Sequence, residues 1–112
     1  MPLQRTETYT TTGAKPSWNC DPSITPFELS VVIDLLSAST ATFSLEYSYD
    51  TLDSPTATDS DAKWFTSTEI PVGTAADAAQ QFSGAPIARV RINIAAISGS
   101  VKMTMLQGMS IN

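Results

Sequence analysis

The sequence predicts an all-β protein, a small antiparallel β-sandwich of jelly-roll-like or immunoglobulin-like type with an extended N-terminal arm. Three observations carry this. Apolar residues alternate with polar ones over several runs of seven to ten residues, the period of a half-buried strand. The chain holds 15 Thr and 14 Ser, residues that suit pleated surfaces and turns. Its 112 residues are enough for one core and too few for two domains.

Residues 1–12 are polar and Thr-rich, with Leu3 and Tyr9 as large apolar side chains after Met1. So little apolar surface predicts an arm reaching for neighbours, mobile in an isolated protomer. Residues 13–26 carry Pro16, Pro22 and Pro26, which forbid a helix and suit an extended connection. The expected division is therefore arm and connection over residues 1–26 and sandwich over 27–112.

Phe27, Leu29, Val31, Ile33 and Leu35 share one strand face, with Glu28, Ser30 and Asp34 on the other. After a turn at residues 37–40, Phe43, Leu45, Tyr47 and Tyr49 point inward, and Ser44, Glu46 and Ser48 outward. The two runs predict a hairpin. Residues 50–63 lose apolar content and gain Asp50, Asp53, Asp59 and Asp61, an exposed loop. Residues 63–72 contain Trp64, Phe65 and Ile70, a short strand in which one of the adjacent aromatics is expected to be buried. Residues 74–82 are the one helical candidate, with Thr74 as cap and four alanines behind it. Ala88, Val90, Ile92 and Ile94 form a further strand face, and Val101, Met103, Met105 and Met109 another. A turn at residues 98–100 makes this a second predicted hairpin, with Leu106 breaking the alternation on its last strand.

Composition excludes several functions. The net charge is −5 with six basic residues, which argues against nucleic acid as a partner. Nine acids and Lys63 alone among bases lie between residues 28 and 77, while Arg5, Lys15, Arg89, Arg91 and Lys102 lie outside. An acidic middle with basic ends suits either a solvated face or packing against copies of itself. Cys20 is the single cysteine, so no disulfide forms within the chain, as in a protein made in a reducing cytoplasm. No apolar run approaches the ~18 residues of a membrane span, and the N-terminus lacks a signal peptide's apolar centre.

With no histidine, Ser-His-Asp, Cys-His and His-ligated zinc chemistry are all impossible. The five glycines are isolated and make no phosphate loop. The expectation is a non-enzyme without catalytic, cofactor or metal site. Asp50, Asp53, Asp59 and Asp61 offer oxygens for calcium, but their spacing does not match an EF-hand loop, and a solvated loop is the favoured reading. Trp18, Trp64, Tyr9, Tyr47 and Tyr49 are candidates for a sugar-stacking platform, with Tyr47 and Tyr49 sharing the core parity. The candidate partner-contact residues are Leu3, Arg5, Tyr9, Trp18 and Trp64.

The cadence of residues 43–50 (FSLEYSYD), 63–65 (KWF), 87–93 (IARVRIN) and 98–105 (SGSVKMTM) resembles small structural proteins of tailed-phage virions. There, a strand ends in Tyr-Asp, a Trp follows the loop, and an Arg-Val-Arg strand pairs with a partner across a Gly turn. The resemblance covers residues 27–108. It implies a capsid decoration (cement) protein, or a head–tail or tail accessory protein, working as a homo-oligomer on a major capsid protein or a neighbouring virion protein. The implied location is the virion, after synthesis in the host bacterial cytoplasm. A carbohydrate- or receptor-binding module is the alternative.

Overall fold

The computed structural model describes residues 3–20, 27–50, 58–83 and 86–108; Asp53 and Met109 of the expectations above lie outside them. Nine strands run through these residues. They are Leu3–Tyr9 (β1), Gly13–Ala14 (β2), Trp18–Asn19 (β3), Glu28–Leu35 (β4), Thr40–Ser48 (β5), Phe65–Thr66 (β6), Ala78–Ser83 (β7), Arg89–Ser98 (β8) and Val101–Gln107 (β9). The first sheet has the order β1-β9-β4-β7. The second runs β2-β8-β5-β6, with β3 also on β8. Every pairing is antiparallel.

β2 and β3 lie along the same strand, facing Ile94 and Val90, and act as one strand interrupted around Pro16. Counted so, two four-stranded sheets exchange the chain at nearly every connection. This is the double-sheet order of a jelly roll, and the immunoglobulin-like alternative falls away.

Alternation explains the core. Phe27, Leu29, Val31, Ile33, Phe43, Leu45, Val90, Ile92 and Ile94 all lie in one buried cluster with Val101, Met103 and Met105. Each set is one face of one strand, so the two sheets close on each other. On β8 the alternation is interrupted once. Thr42 faces Ala96 and Phe43 faces Ile94, so Ala95 is an unopposed bulge residue. Past it, Ala41 and Ile97 turn to the core while Ala96 is exposed.

Several expectations are corrected. β4 and β5 belong to different sheets, as do β8 and β9, so neither pair is a hairpin. Each strand's apolar face is covered by the opposite sheet, and its ladder partners come from distant segments. The two connections meet instead: Ser100 N–H donates to Ser39 Oγ at 2.9 Å and Leu36 N–H to the Ser100 carbonyl at 3.1 Å.

The helical candidate over residues 74–82 is extended. Thr74 bridges to Phe43, and Ala78 to Ser83 form β7 along β4. One or two turns of helix cannot recover the nucleation cost, whereas Ala78, Gln80 and Phe82 alternate inward at a sheet edge. The strand expected over residues 63–72 shrinks to β6; Ile70 is buried, and its carbonyl accepts from Leu45 N–H at 3.0 Å. Tyr49, just past β5, is 54% exposed, while Ser44 and Ser48 on β5, expected outward, are buried. Leu106 is 45% exposed on the outer face between buried Met105 and Gln107, so it keeps the alternation.

The N-terminal arm is also corrected. β1 pairs with β9 over seven positions, from Leu3 opposite Gln107 to Tyr9 opposite Val101. Ladder hydrogen bonds offset the ordering that its sparse apolar content cannot. Trp18 and Cys20 belong to the core cluster. The sandwich therefore begins at β1, and a boundary at residue 26 would cut through it.

Candidate functional site

The sequence-derived candidates fall on two places in the sandwich. Arg5, Tyr9 and Trp18 gather at the side where β1 of the first sheet faces β2–β3 of the second. Opposite positions in a ladder share a face, so Arg5, Glu7 and Tyr9 point the same way as Met105, Met103 and Val101, toward the space between the sheets. Because β1 is the outermost strand, these side chains line a cleft of about 330 Å³ with Lys15, Pro16 and Trp18. Trp18 is 1% exposed and forms its floor. The Arg5 guanidinium lies 5.0 Å from the indole centroid, within cation–π range. Lys15 Nζ donates to the Thr12 carbonyl at 2.9 Å. Half-buried Tyr9 has its phenol pKa raised, first by burial and then by Glu7, with Arg5 and a hydrogen bond from Trp18 pulling it partly back. Leu3 begins β1, opposite Gln107 in the ladder.

Trp64 is elsewhere, on the outer face of the second sheet. Its indole Nε1–H donates to the Asp59 carbonyl at 2.7 Å, and the Arg91 guanidinium lies 4.1 Å from its ring centroid. Arg91 Nε donates to Glu46 at 2.6 Å. The neighbouring Asp59 accepts from Ser17 N–H at 2.8 Å and Ser17 Oγ at 2.6 Å, and lies 3.9 Å from Arg89. A single turn of 3-10 helix, Asp59–Asp61, presents these groups. Trp64 thus pins the loop onto the sheet; it is not drawn into the Arg5–Trp18 cleft.

The described acids of this loop likewise hold the chain itself. Asp59 serves Ser17 and Arg89, Asp61 Oδ2 accepts from Thr58 N–H at 2.7 Å, and Asp50 Oδ2 from Lys63 N–H at 2.7 Å. No group of three or more metal-binding side chains gathers among the described residues. Cys20 is buried, and burial pushes its thiol up to about 12, with Arg89 opposing weakly, so it is neither thiolate nor nucleophile near neutrality.

Sequence reasoning missed a third feature on the opposite side of the sandwich. Tyr47, Tyr49, Phe65 and Phe82 form an aromatic corner where β5 and β6 meet β7. Tyr47 is 5.9 Å from Tyr49, 5.8 Å from Phe65 and 5.4 Å from Phe82, centroid to centroid. Tyr49 and Phe65 are the exposed members, at 54% and 39%. Phe65 stacks on Tyr47 on one face and carries Lys63 Nζ at 5.5 Å from its centroid. Neither Trp64 nor Phe65 is fully buried, contrary to expectation. Phe82 lies in the segment expected to be helical, where its parity with Ala78 and Gln80 is the available signal. The five-residue platform is also corrected: Tyr9 and Trp18 lie on one side, Tyr47 and Tyr49 on the other, and Trp64 on an outer face.

A further shallow groove of about 390 Å³, bounded by Thr42, Ala75, Ala96 and Ile97, has no ionisable side chain in its lining.

No family model and no curated protein matches the chain. Among solved structures, the chain is similar to a protein from work on Bacillus endospore appendages, described as a novel family of disulfide-linked pili. The identity is 13%, the TM-score 0.46, and the alignment covers 98% of this chain and 88% of that one.

Proposed function

We propose that the protein is a non-enzymatic structural component of a tailed-phage virion, a capsid decoration protein that works through contacts with neighbouring subunits. The observation that supports this reading most is how the polar groups are used. Asp59, Arg89, Glu46 and Arg91 are committed to holding the chain's own loop and sheet. Among the described residues two open sheet sides face solvent, one with the Arg5–Trp18 cleft and one with the aromatic corner. Such surfaces suit docking against protein more than bond-making chemistry. The resemblance of residues 27–108 to small virion proteins points the same way.

Co-sedimentation tests it. Purified protein is mixed with shells of the phage that encodes it, stripped of this protein. Saturable binding in proportion to the shell's subunits, with a higher shell melting temperature, is the expected result. Absence of binding to shells, necks and tails overturns it. Tyr49, with one exposed ring beside Asp50 and Lys63, gives the carbohydrate-binding reading its specific observation. Binding on a glycan array that is lost in Tyr49→Ala would favour that reading instead.

A further inference from the structure

The strand edges differ in a way that bears on how copies meet. The second sheet is blunt at both sides: β2 and β3 are two residues each around Pro16, and β6 is two residues. The first sheet ends in long, continuous strands. β1 has seven residues and β7 six, neither contains proline or glycine, and among the described residues nothing pairs along their outer sides. β7 (AAQQFS) carries no charge, so it lacks the usual protection of an edge.

Direction permits a head-to-tail junction, and charge favours it. Each neighbour in the first sheet is antiparallel to the next, so β1 and β4 run one way and β9 and β7 the other. A translated copy therefore brings its β1 beside β7 with antiparallel sense, and the ladder continues without reversal. Around β1 lie Arg5 and Lys15 against Glu7. The segments around β6 and β7 carry Asp50, Glu69 and Asp77 against Lys63. The ion pairs of the described residues are Arg89–Asp59 and Arg91–Glu46, so neither Arg5 nor Lys15 has a carboxylate within 4 Å. Pairing two β7 edges sets acids against acids, whereas two β1 edges can bring Arg5 of one to Glu7 of the other but leave Lys15 against Lys15. β1 on β7 sets a net positive side against a net negative one and is the most complementary pairing.

We infer that copies of this chain join head to tail, β1 of one against β7 of the next, so that the first sheet runs on across the junction. Such a contact is heterologous, with two different surfaces, and closes into a ring or extends as a row. It deepens the proposed function, in which the protein acts as a homo-oligomer, and concerns only the contact between copies.

Sedimentation velocity on purified protein tests it, with proline placed at neighbouring positions of each edge: Thr6→Pro and Glu7→Pro on β1, Gln80→Pro and Gln81→Pro on β7. N–H direction alternates along a strand, so one of each pair loses a donor only on the outer side. An unchanged melting temperature identifies that variant. Wild-type protein should form species heavier than a monomer that grow with concentration and shrink with added salt. Each edge variant alone should be monomeric. An equimolar mixture of a β1 variant and a β7 variant should form a 1:1 dimer and nothing larger, because each supplies the edge the other has lost. Monomeric wild type at all concentrations overturns the inference and makes inward-pointing Arg5 and Glu7 guards of the edge. Self-association of the β1 variants alone or of the β7 variants alone, or no dimer in the mixture, overturns it too. Shell binding plays no part in this measurement, so the junction and the decoration reading fail separately.

Discussion

Replacing Trp18 with alanine tests whether the N-terminal quarter of the chain is part of the sandwich. Trp18 is 1% exposed, pairs with Val90 on β8, and lies beneath Arg5 of β1, so it ties the edges of both sheets together. Truncating a fully buried tryptophan costs ~3–5 kcal/mol, a large share of the ~5–15 kcal/mol that holds a domain together. At about 2.1 cal/mol/K per residue, a chain of this length gains roughly 0.24 kcal/mol/K on unfolding. A loss of ~4 kcal/mol therefore lowers Tm by roughly 17 °C. The control is Trp64→Ala, which removes one hydrogen bond and one cation–π contact on an outer face, ~1–2 kcal/mol or roughly 4–8 °C. Thermal unfolding followed by circular dichroism at 220 nm or below reads both. If Trp18→Ala shifts Tm no more than Trp64→Ala, the N-terminal strands are an appendage and the jelly-roll assignment of β1 to β3 is wrong.

Ala38 has φ of 60° in the connection between β4 and β5, a left-handed conformation that costs a residue with a Cβ about 1–2 kcal/mol. Ala38→Gly should therefore raise stability by up to ~1 kcal/mol despite glycine's greater freedom when unfolded, read as a higher urea midpoint at unchanged slope. Cys20 supplies a pH dependence: its folded value is raised from 9.0 to about 12, so the folded state holds the proton more tightly. Its contribution is complete below pH 9 and is lost as pH rises toward 12, with Tyr9, also raised, acting in the same direction. Urea unfolding at pH 8, 9.5 and 11 should show falling stability in wild type and a shallower fall in Cys20→Ala. Consistently, a thiol reagent at pH 8 should label Cys20 only on the unfolding timescale.

Much of the core is legible in the sequence. Period-2 spacing places Phe27 through Ile33, Phe43 and Leu45, and Val90 through Ile94 on buried faces, because strand geometry alone puts alternate side chains on opposite sides. The absence of histidine and of a second cysteine removes whole classes of chemistry on composition alone. The failures have physical causes as definite as the successes. Ala-rich residues 74–82 satisfy helix propensity, but a short helix has little to stabilise it, and the open flank of β4 offers a full ladder. Residues 3–9 bury little, and only the presence of β9 beside them makes an ordered strand. Ala95 becomes a bulge through the register of β5 against β8, which no local pattern records.

By itself, then, the sequence determined the long extended runs and their apolar faces, residues 74–82 excepted, since both depend on neighbours one or two positions away. Only the tertiary structure decided which strands pair. The runs over residues 27–36 and 42–49 look like a hairpin because their connection is short, yet a short connection can equally cross from one sheet to the other. The choice rests on covering every apolar face at once. A β4–β5 hairpin would place Phe43 and Leu45 beside Leu29 and Ile33 in one sheet, with their shared face open to water. Crossing the gap sets those faces against each other and leaves the ladders to be completed by β7, β8 and β9 from the far end of the chain. The candidate site follows the same rule: Arg5 meets Trp18, and Tyr47 meets Phe82, only because the two sheets bring their edges together.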